Sequence, residues 1–288
     1  MLLAVNYRVT VRTPGSDVEA WSSIRLPFEP KGWLLDFRRE LAQACRELTA
    51  APRQVLHAVY TSADHRLVDV ENVLTYNLGT AAIRAAAQHG LILERSYCAV
   101  HDGDHQHHYR YRFAEAGQRW SHWSAGELLG SIGFAAPAEA FRAPTAGRWW
   151  LAARRAGFTA HAQTTTVPDR LALRVSVSPP ERWRGSLASL VKPLTDGLIA
   201  AMHAHEGPVD PVLGPAPTID PDLTRDEFRA LLLEPTRAPL GRVRLVVPWG
   251  TTLQWLPADD RIVALDIRLT TDRDPGTVTA EALMATSR

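Results

Sequence analysis

Shifting the sequence by 117 residues lays one strand–loop–helix pattern on another, and a repeat of that kind restricts the chain to folds built from two similar units. The shift puts 54–61 on 171–178, the loop 62–68 on 179–185, the helix opening at Asp69 on the helix opening at Ser186, and Gly90 on Gly207. Leu56 meets Leu173 and Ala87 meets Ala204, while the other positions share hydrophobic pattern rather than identity. Two ordinary β-α units would give the same overlap, so the pattern stands beside duplication as an alternative.

Period-2 alternation of Leu3, Val5, Tyr7, Val9 and Val11 predicts a strand over 3–11, closed by Pro14-Gly15, and a second strand follows at about 18–27. Leu35, Phe37, Leu41, Cys45 and Leu48 recur at helical spacing over 34–48. Residues 54–61 read as a strand and 69–89 as a long helix ending at Gly90. Segments 91–100 and 106–114 read as a hairpin turning at Asp102-Gly103. Further on, 171–178 is a strand, 186–205 a helix and the proline-rich acidic stretch 208–222 a loop. A short helix at 223–233 and strands at 241–248, 251–256 and 261–270 complete the pass, and the polar tail from Asp272 is expected to fray. These readings make an α/β (α+β) protein of two similar ββαβαβ-type halves with mixed sheets. The divisions are 1–116, a Trp/Arg-containing connector at 117–168, 169–272 with the acidic insertion, and a tail at 273–288.

The first junction concentrates carboxylates: Asp69-Val70-Glu71-Asn72 opens a helix. Two carboxylates two residues apart can converge on a hard divalent cation such as Mg²⁺, which prefers oxygen ligands. The same residues also suit a plain helix start, with Asp69 as N-cap and Glu71 complementing the helix dipole.

The order strand–turn–strand, helix, strand, loop and then Asp-x-Glu-Asn at the head of a helix resembles the RusA-type Holliday-junction resolvases. That resemblance implies a homodimeric fold that cuts four-way DNA with Mg²⁺ or Mn²⁺, in recombination and repair. The family's junction motif carries acidic residues and Asn, then Lys and a further Asp. Here the first copy supplies Asp69, Glu71 and Asn72 but has Thr75 and Gly79 at the later positions. The second copy has Ser186, Ala188 and Ser189 first, then Lys192 and Asp196. Ala258-Asp259-Asp260 before the strand at 261–270 resembles the family's Asp-Asp element, which makes Asp260 the matching metal ligand. The resemblance thus implies a catalytic set of Asp69, Glu71, Asn72, Lys192 and Asp260, split between two partly degenerate halves in one chain. Asp102 or Asp104 would supply a distal carboxylate to the metal. In this reading Asp69 and Glu71 hold the ion, Asn72 orients them, and Lys192 meets phosphate.

Two other segments carry chemistry. His101-Asp102-Gly103-Asp104-His105-Gln106-His107-His108 offers ligands for a transition metal, or is simply an exposed polar hairpin. Between Arg142 and Lys192, nine cations face two acids, and arginines interleave with Trp149, Trp150 and Trp183. Arg154, Arg155, Arg182, Arg184 and Lys192 are therefore candidate contacts to branched or single-stranded DNA, the tryptophans being equally suited to the core. The net charge of +1 disfavours tight non-specific duplex binding. No phosphate loop, dinucleotide-binding loop, nucleophile elbow or zincin helix is present. Two cysteines and no long apolar run are expected of a cytoplasmic protein. Three functions follow: a Mg-dependent endonuclease with a split site, an inactive binding or assembly subunit of the same fold, or a metal-binding protein using the 101–108 hairpin.

Overall fold

The computed structural model describes residues 6–100, 102–115, 117–162 and 167–288. In chain order the strands and helices begin β1 (Tyr7–Thr13), β2 (Asp17–Ser22), α1 (Trp33–Arg46), β3 (Gln54–Thr61), β4 (Gly90–Ser96), β5 (His107–Glu115) and β6 (Trp123–Ala135). There follow α2 (Ala138–Arg142), α3 (Ala146–Ala156), β7 (Thr159–Ala160), β8 (Leu171–Ser178), α4 (Leu187–Ala201), β9 (Ala204–His205), α5 (Asp210–Leu213) and α6 (Arg225–Leu233). The chain ends with β10 (Arg242–Val243), β11 (Val246–Trp249), β12 (Thr252–Trp255), β13 (Ile262–Leu269) and β14 (Thr277–Ser287). Ten strands form one mixed sheet in the order β1-β2-β5-β3-β4-β13-β8-β14-β6-β7, so the coarse α/β (α+β) class expected from the pattern is the one observed.

The sheet turns about its antiparallel β4–β13 pair, which sets Leu93 opposite Leu265. Moving outward from that pair, β3 lies parallel to β4, and β8 parallel to β13. Next come β5 and β14, each antiparallel to its inner neighbour, and then β2 and β6, antiparallel again. Strand direction and order are therefore the same on both sides of the centre.

Alternation along the strands decides which face is covered. Leu56, Ala58, Tyr60, Leu91, Leu93, Tyr109, Leu173, Val175 and Ile267 share one apolar cluster with Phe37 and Leu41 of α1, Trp149 and Trp150 of α3, and Leu190, Leu194 and Leu198 of α4. The helices thus lie on one side of the sheet. The reverse side has a smaller cluster around Val55, Ile92, Val263, Trp120 and Trp123, and a buried pair in which His57 Nε2 lies 2.7 Å from Glu94 Oε1. Glu94 also accepts the backbone N–H groups of Ser121 and His122 at 2.7 and 2.8 Å, tying that loop to the sheet. α4 crosses α3 so closely that a Cβ at Gly197 would lie 2.4 Å from Trp149 Cβ and 2.6 Å from the Ala146 carbonyl oxygen. Only glycine permits that approach.

Several expectations need correction. Part of the strand expected at 3–11 lies outside the described residues, and β1 begins at Tyr7. The long helix expected at 69–89 is broken into a π-helical turn, Asn72–Tyr76, and a 3₁₀ turn, Thr80–Ile83. Gly79, at φ 99°, interrupts it, and Thr75 donates its hydroxyl to the Glu71 carbonyl at 2.6 Å. The segments read as a hairpin, β4 and β5, do not pair: β3 lies between them. The tail is no frayed end but β14, hydrogen-bonded to both β8 and β6, with Val278, Ala280, Ala282, Leu283 and Ala285 buried. Its small side chains hide the alternation that a run of valines would show. The 117–168 segment, expected as a connector, contains strand β6 and helix α3.

Candidate metal centre

Three segments remote in sequence bring the candidate chemistry together. The loop after β3 ends at Asp69, whose Oδ1 accepts the backbone N–H groups of Glu71 and Asn72, each at 3.1 Å. Val70, Val73 and Leu74 bury themselves beneath and fix the turn. In α4, Ser186 caps the start by accepting from the Ser189 N–H. Leu187, Leu190, Val191, Leu194 and Leu198 face the core, which leaves Lys192 and Asp196, one turn apart, toward the 69–71 turn. The third segment is a 3₁₀ turn, Asp259–Arg261, just before central strand β13.

Lys192 Nζ sits among four carboxylates: 2.7 Å from Asp69 Oδ2, 3.0 Å from Glu71 Oε1, 2.7 Å from Asp196 Oδ1 and 3.0 Å from Asp259 Oδ2. One ligand atom from each of Asp69, Glu71, Asp196 and Asp259 lies within 4.8 Å of the others. The Glu71 oxygen is close to the ammonium but off its hydrogen-bonding direction, and carries no hydrogen bond among the described residues. Side-chain exposure ranges from 2% for Glu71 to 23% for Lys192, so the centre is largely withdrawn from water but open at one edge.

One ammonium cannot balance four carboxylates at this depth. Burial, with the neighbouring acids, raises the pKa of Asp69, Glu71 and Asp196 despite the attraction of Lys192. Burial opposes the charge on Lys192, but the four acids outweigh it and hold the lysine protonated. An all-oxygen, electron-rich set of this kind suits a hard divalent cation, which would replace surplus protons as counter-charge. Asp69, Glu71, Asp196 and Asp259 are the residues that would hold it.

The structure therefore brings Asp69, Glu71 and Lys192 together as the sequence led one to expect, and adds Asp196 and Asp259. Asp196 had a signal, because it falls on the last acidic position of the second copy. Asp259 had a weaker one as the neighbour of Asp260. Asp260 itself is not in the group; it follows Asp259 in the turn, half-buried, with its pKa raised by burial and by Asp259. Asn72 orients Asp69 through its backbone N–H, while its side-chain Oδ1 is buried with no hydrogen bond among the described residues.

Asp102 and Asp104 do not join the centre. Asp102 pairs with Arg8 at 3.0 Å and with His105 Nδ1 at 3.0 Å, and Asp104 lies exposed in the same turn. His101 lies outside the described residues. Of its neighbours, His107 is buried against the Tyr60 hydroxyl at 2.8 Å, and His108 stacks on Trp21. The carboxylate group is the one metal-capable cluster among the described residues.

The arginines divide. Arg154 is buried, and its guanidinium donates to the carbonyls of Ala201, Leu231, Glu234 and Arg237, so it stitches the fold and cannot meet phosphate. Burial pushes its pKa down to about 10. Arg155 pairs with Glu227 and Asp220, whereas Arg182 and Arg184 are exposed. Trp149 and Trp150 are core residues. No helix among the described residues is long and apolar enough to cross a membrane. No protein-family model, curated protein or solved structure matches the chain.

Proposed function

We propose that the chain is a divalent-cation-dependent phosphodiesterase acting on nucleic acid, an endonuclease with one composite centre. The observation that carries this reading is the convergence of Asp69, Glu71, Asp196 and Asp259 on one point, from three segments remote in sequence, around a lysine. Hydrolysing a phosphodiester requires a polarised phosphoryl oxygen and an activated water, and a Mg²⁺ or Mn²⁺ ion supplies both when bound. The four carboxylates would hold that ion. Asp69 is held in place by the two backbone N–H groups of its turn, and Glu71 is fixed by burial. Lys192, held protonated by the four acids, is the side chain that would meet a phosphate oxygen as a point charge.

The repeated strand order about β4–β13 supports a tandem reading in which two RusA-like halves form one continuous sheet. On that reading Asp69 and Glu71 come from the first half, while Lys192 and Asp196 come from the second. The complementary positions hold Thr75, Gly79, Ser186, Ala188 and Ser189, which leave no second carboxylate set. One centre among the described residues implies one cut per chain bound, so the product from a closed circular duplex is a nick.

A second reading, an inactive binding or assembly subunit, is favoured by one observation: the Lys192 ammonium occupies the middle of the carboxylates as an internal counter-ion. Calorimetric titration with Mg²⁺ and Mn²⁺, alongside cleavage of four-way-junction, single-stranded and duplex DNA, separates the two. Metal binding with cleavage, both lost in Asp69→Asn, supports the nuclease; binding of DNA with no metal uptake supports the subunit.

A further inference from the structure

Beside the carboxylates a groove of about 550 Å³ runs between the 72–80 turns and α4. Its lining includes Lys192 and Asp196 of that centre together with Phe28 and Tyr76. These two rings stand out from the surface, 57% and 43% exposed, and are stacked, with centroids 5.2 Å apart and planes 4° from parallel. Exposed aromatics of this size normally seek cover, and here each covers only one face of the other.

The pair is fixed from below. Leu26 is fully buried, its N–H donates to the Tyr109 hydroxyl at 2.8 Å, and its carbonyl accepts from Asn77 Nδ2 at 3.0 Å, which holds the loop carrying Phe28 against the turn carrying Tyr76. That turn is π-helical, closed by the Asn77 N–H donating to the Asn72 carbonyl at 2.8 Å. The extra residue of such a turn often re-aims a side chain at a functional site. The groove lining also includes Asn72, whose Oδ1 is buried with no hydrogen bond among the described residues, and Ser189, whose carbonyl cannot receive the usual helical N–H because residue 193 is proline.

We propose that this groove is a nucleobase subsite: an unpaired base extends the Phe28–Tyr76 stack while the adjoining backbone phosphate reaches the carboxylate–lysine centre. The inference rests on the nuclease reading above and names its substrate class, a strand with at least one unstacked base. A flat π surface continuous with a centre that handles phosphodiesters matches the two halves of a nucleotide. The Ser189 carbonyl, left without its helical N–H in a residue that lines the groove, suits the exocyclic or ring N–H of a base.

The test compares wild-type protein, a Phe28→Ala/Tyr76→Ala double variant and Tyr76→Trp by fluorescence anisotropy, in Ca²⁺, on a labelled thymidine oligonucleotide and on an abasic oligomer of equal length. Wild type is expected to favour the base-bearing strand by on the order of 10-fold to 100-fold, as one stacked base contributes elsewhere. The double variant should lose that preference, and Tyr76→Trp should keep it. Both rings are exposed, so the variants retain the core, which thermal unfolding checks. Equal binding of the two strands by wild type, or a preference surviving in the double variant, overturns the subsite. Metal-dependent cleavage measured on the same DNA then shows whether the nuclease reading survives alone. Neither binding nor cleavage by wild type overturns both.

Discussion

Removing Lys192 isolates the electrostatics of the centre. At the observed separations of 2.7–3.0 Å, each lysine–carboxylate contact contributes roughly 6 kcal/mol of gross attraction at an effective dielectric near 20. Each pair of carboxylate oxygens, no more than 4.8 Å apart, costs at least roughly 3.5 kcal/mol on the same scale. Four attractions nearly offset six repulsions and leave the cost of burial unmet, so removing the lysine leaves the repulsion unopposed. Lys192→Ala in chelator is therefore expected to lose about 3–5 kcal/mol of unfolding free energy, the range for breaking a buried ion pair from one side. Part of the loss should return by two routes. Because burial and mutual repulsion raise the carboxylate pKa values, the native state binds more protons than the unfolded chain, and stability rises as pH is lowered from 8 toward 6. A divalent cation at a hundred times its dissociation constant should restore about 2.7 kcal/mol. The assay is urea unfolding followed by tryptophan fluorescence, in chelator and in Mg²⁺, at both pH values. A variant as stable as wild type in chelator, or one indifferent to both metal and pH, would refute the reasoning.

Three further outcomes are expected. Gly197→Ala, which would improve a free helix, should instead cost about 1–3 kcal/mol in urea unfolding, because its Cβ meets Trp149 and the Ala146 carbonyl; a stabilised variant would show that the α3–α4 crossing is looser than described. Arg154→Leu should leave buried carbonyls unpaired and cost roughly 3 kcal/mol or more, while Arg182→Ala and Arg184→Ala leave stability unchanged but weaken DNA binding and each lower its salt dependence by about one counterion; loss of binding with full stability in Arg154→Leu would reverse that assignment. Burial works against the charge of Glu94, but His57 and the N–H groups of Ser121 and His122 prevail and depress its pKa, so its contribution is present above the ordinary glutamate range and is lost as pH falls through the lower folded value. Glu94→Gln should accordingly cost about 1–3 kcal/mol at pH 7, with the gap to wild type closing in acid denaturation below about pH 4; a gap that does not depend on pH would contradict this.

The elements that the sequence disclosed are those whose side chains carry a strong period. Gln54–Thr61 and Leu171–Ser178 are strands at the expected bounds, and the helices expected at 34–48 and 186–205 run Trp33–Arg46 and Leu187–Ala201, the end expected of the second forming β9 instead. What failed depended on long-range pairing or on small residues. Nothing local tells β4 that its partner is β13, reached some 170 residues later, rather than β5 close by. The alanines of β14 bury well but read as neutral. At the centre, Asp69 and Glu71 announced themselves by spacing and Lys192 by the family resemblance, while Asp196 sat on a matching position of the resembled motif without being counted in the expected set. The choice between Asp259 and Asp260 turns on one residue of register in a 3₁₀ turn, which composition does not encode. The arginines were ambiguous because Arg154 sits in the same Arg-Arg pair as Arg155, and burial alone distinguishes them.

Incubation of supercoiled plasmid with wild-type protein, Asp69→Asn, Glu71→Gln, Asp196→Asn, Asp259→Asn and Asp260→Asn, in Mg²⁺ or Mn²⁺ and in chelator, tests the composite centre. Metal-dependent nicking that disappears in the first four variants and persists in Asp260→Asn is the expected result. No cleavage by the wild-type protein under any metal, or cleavage that survives loss of each of the four carboxylates, would contradict it.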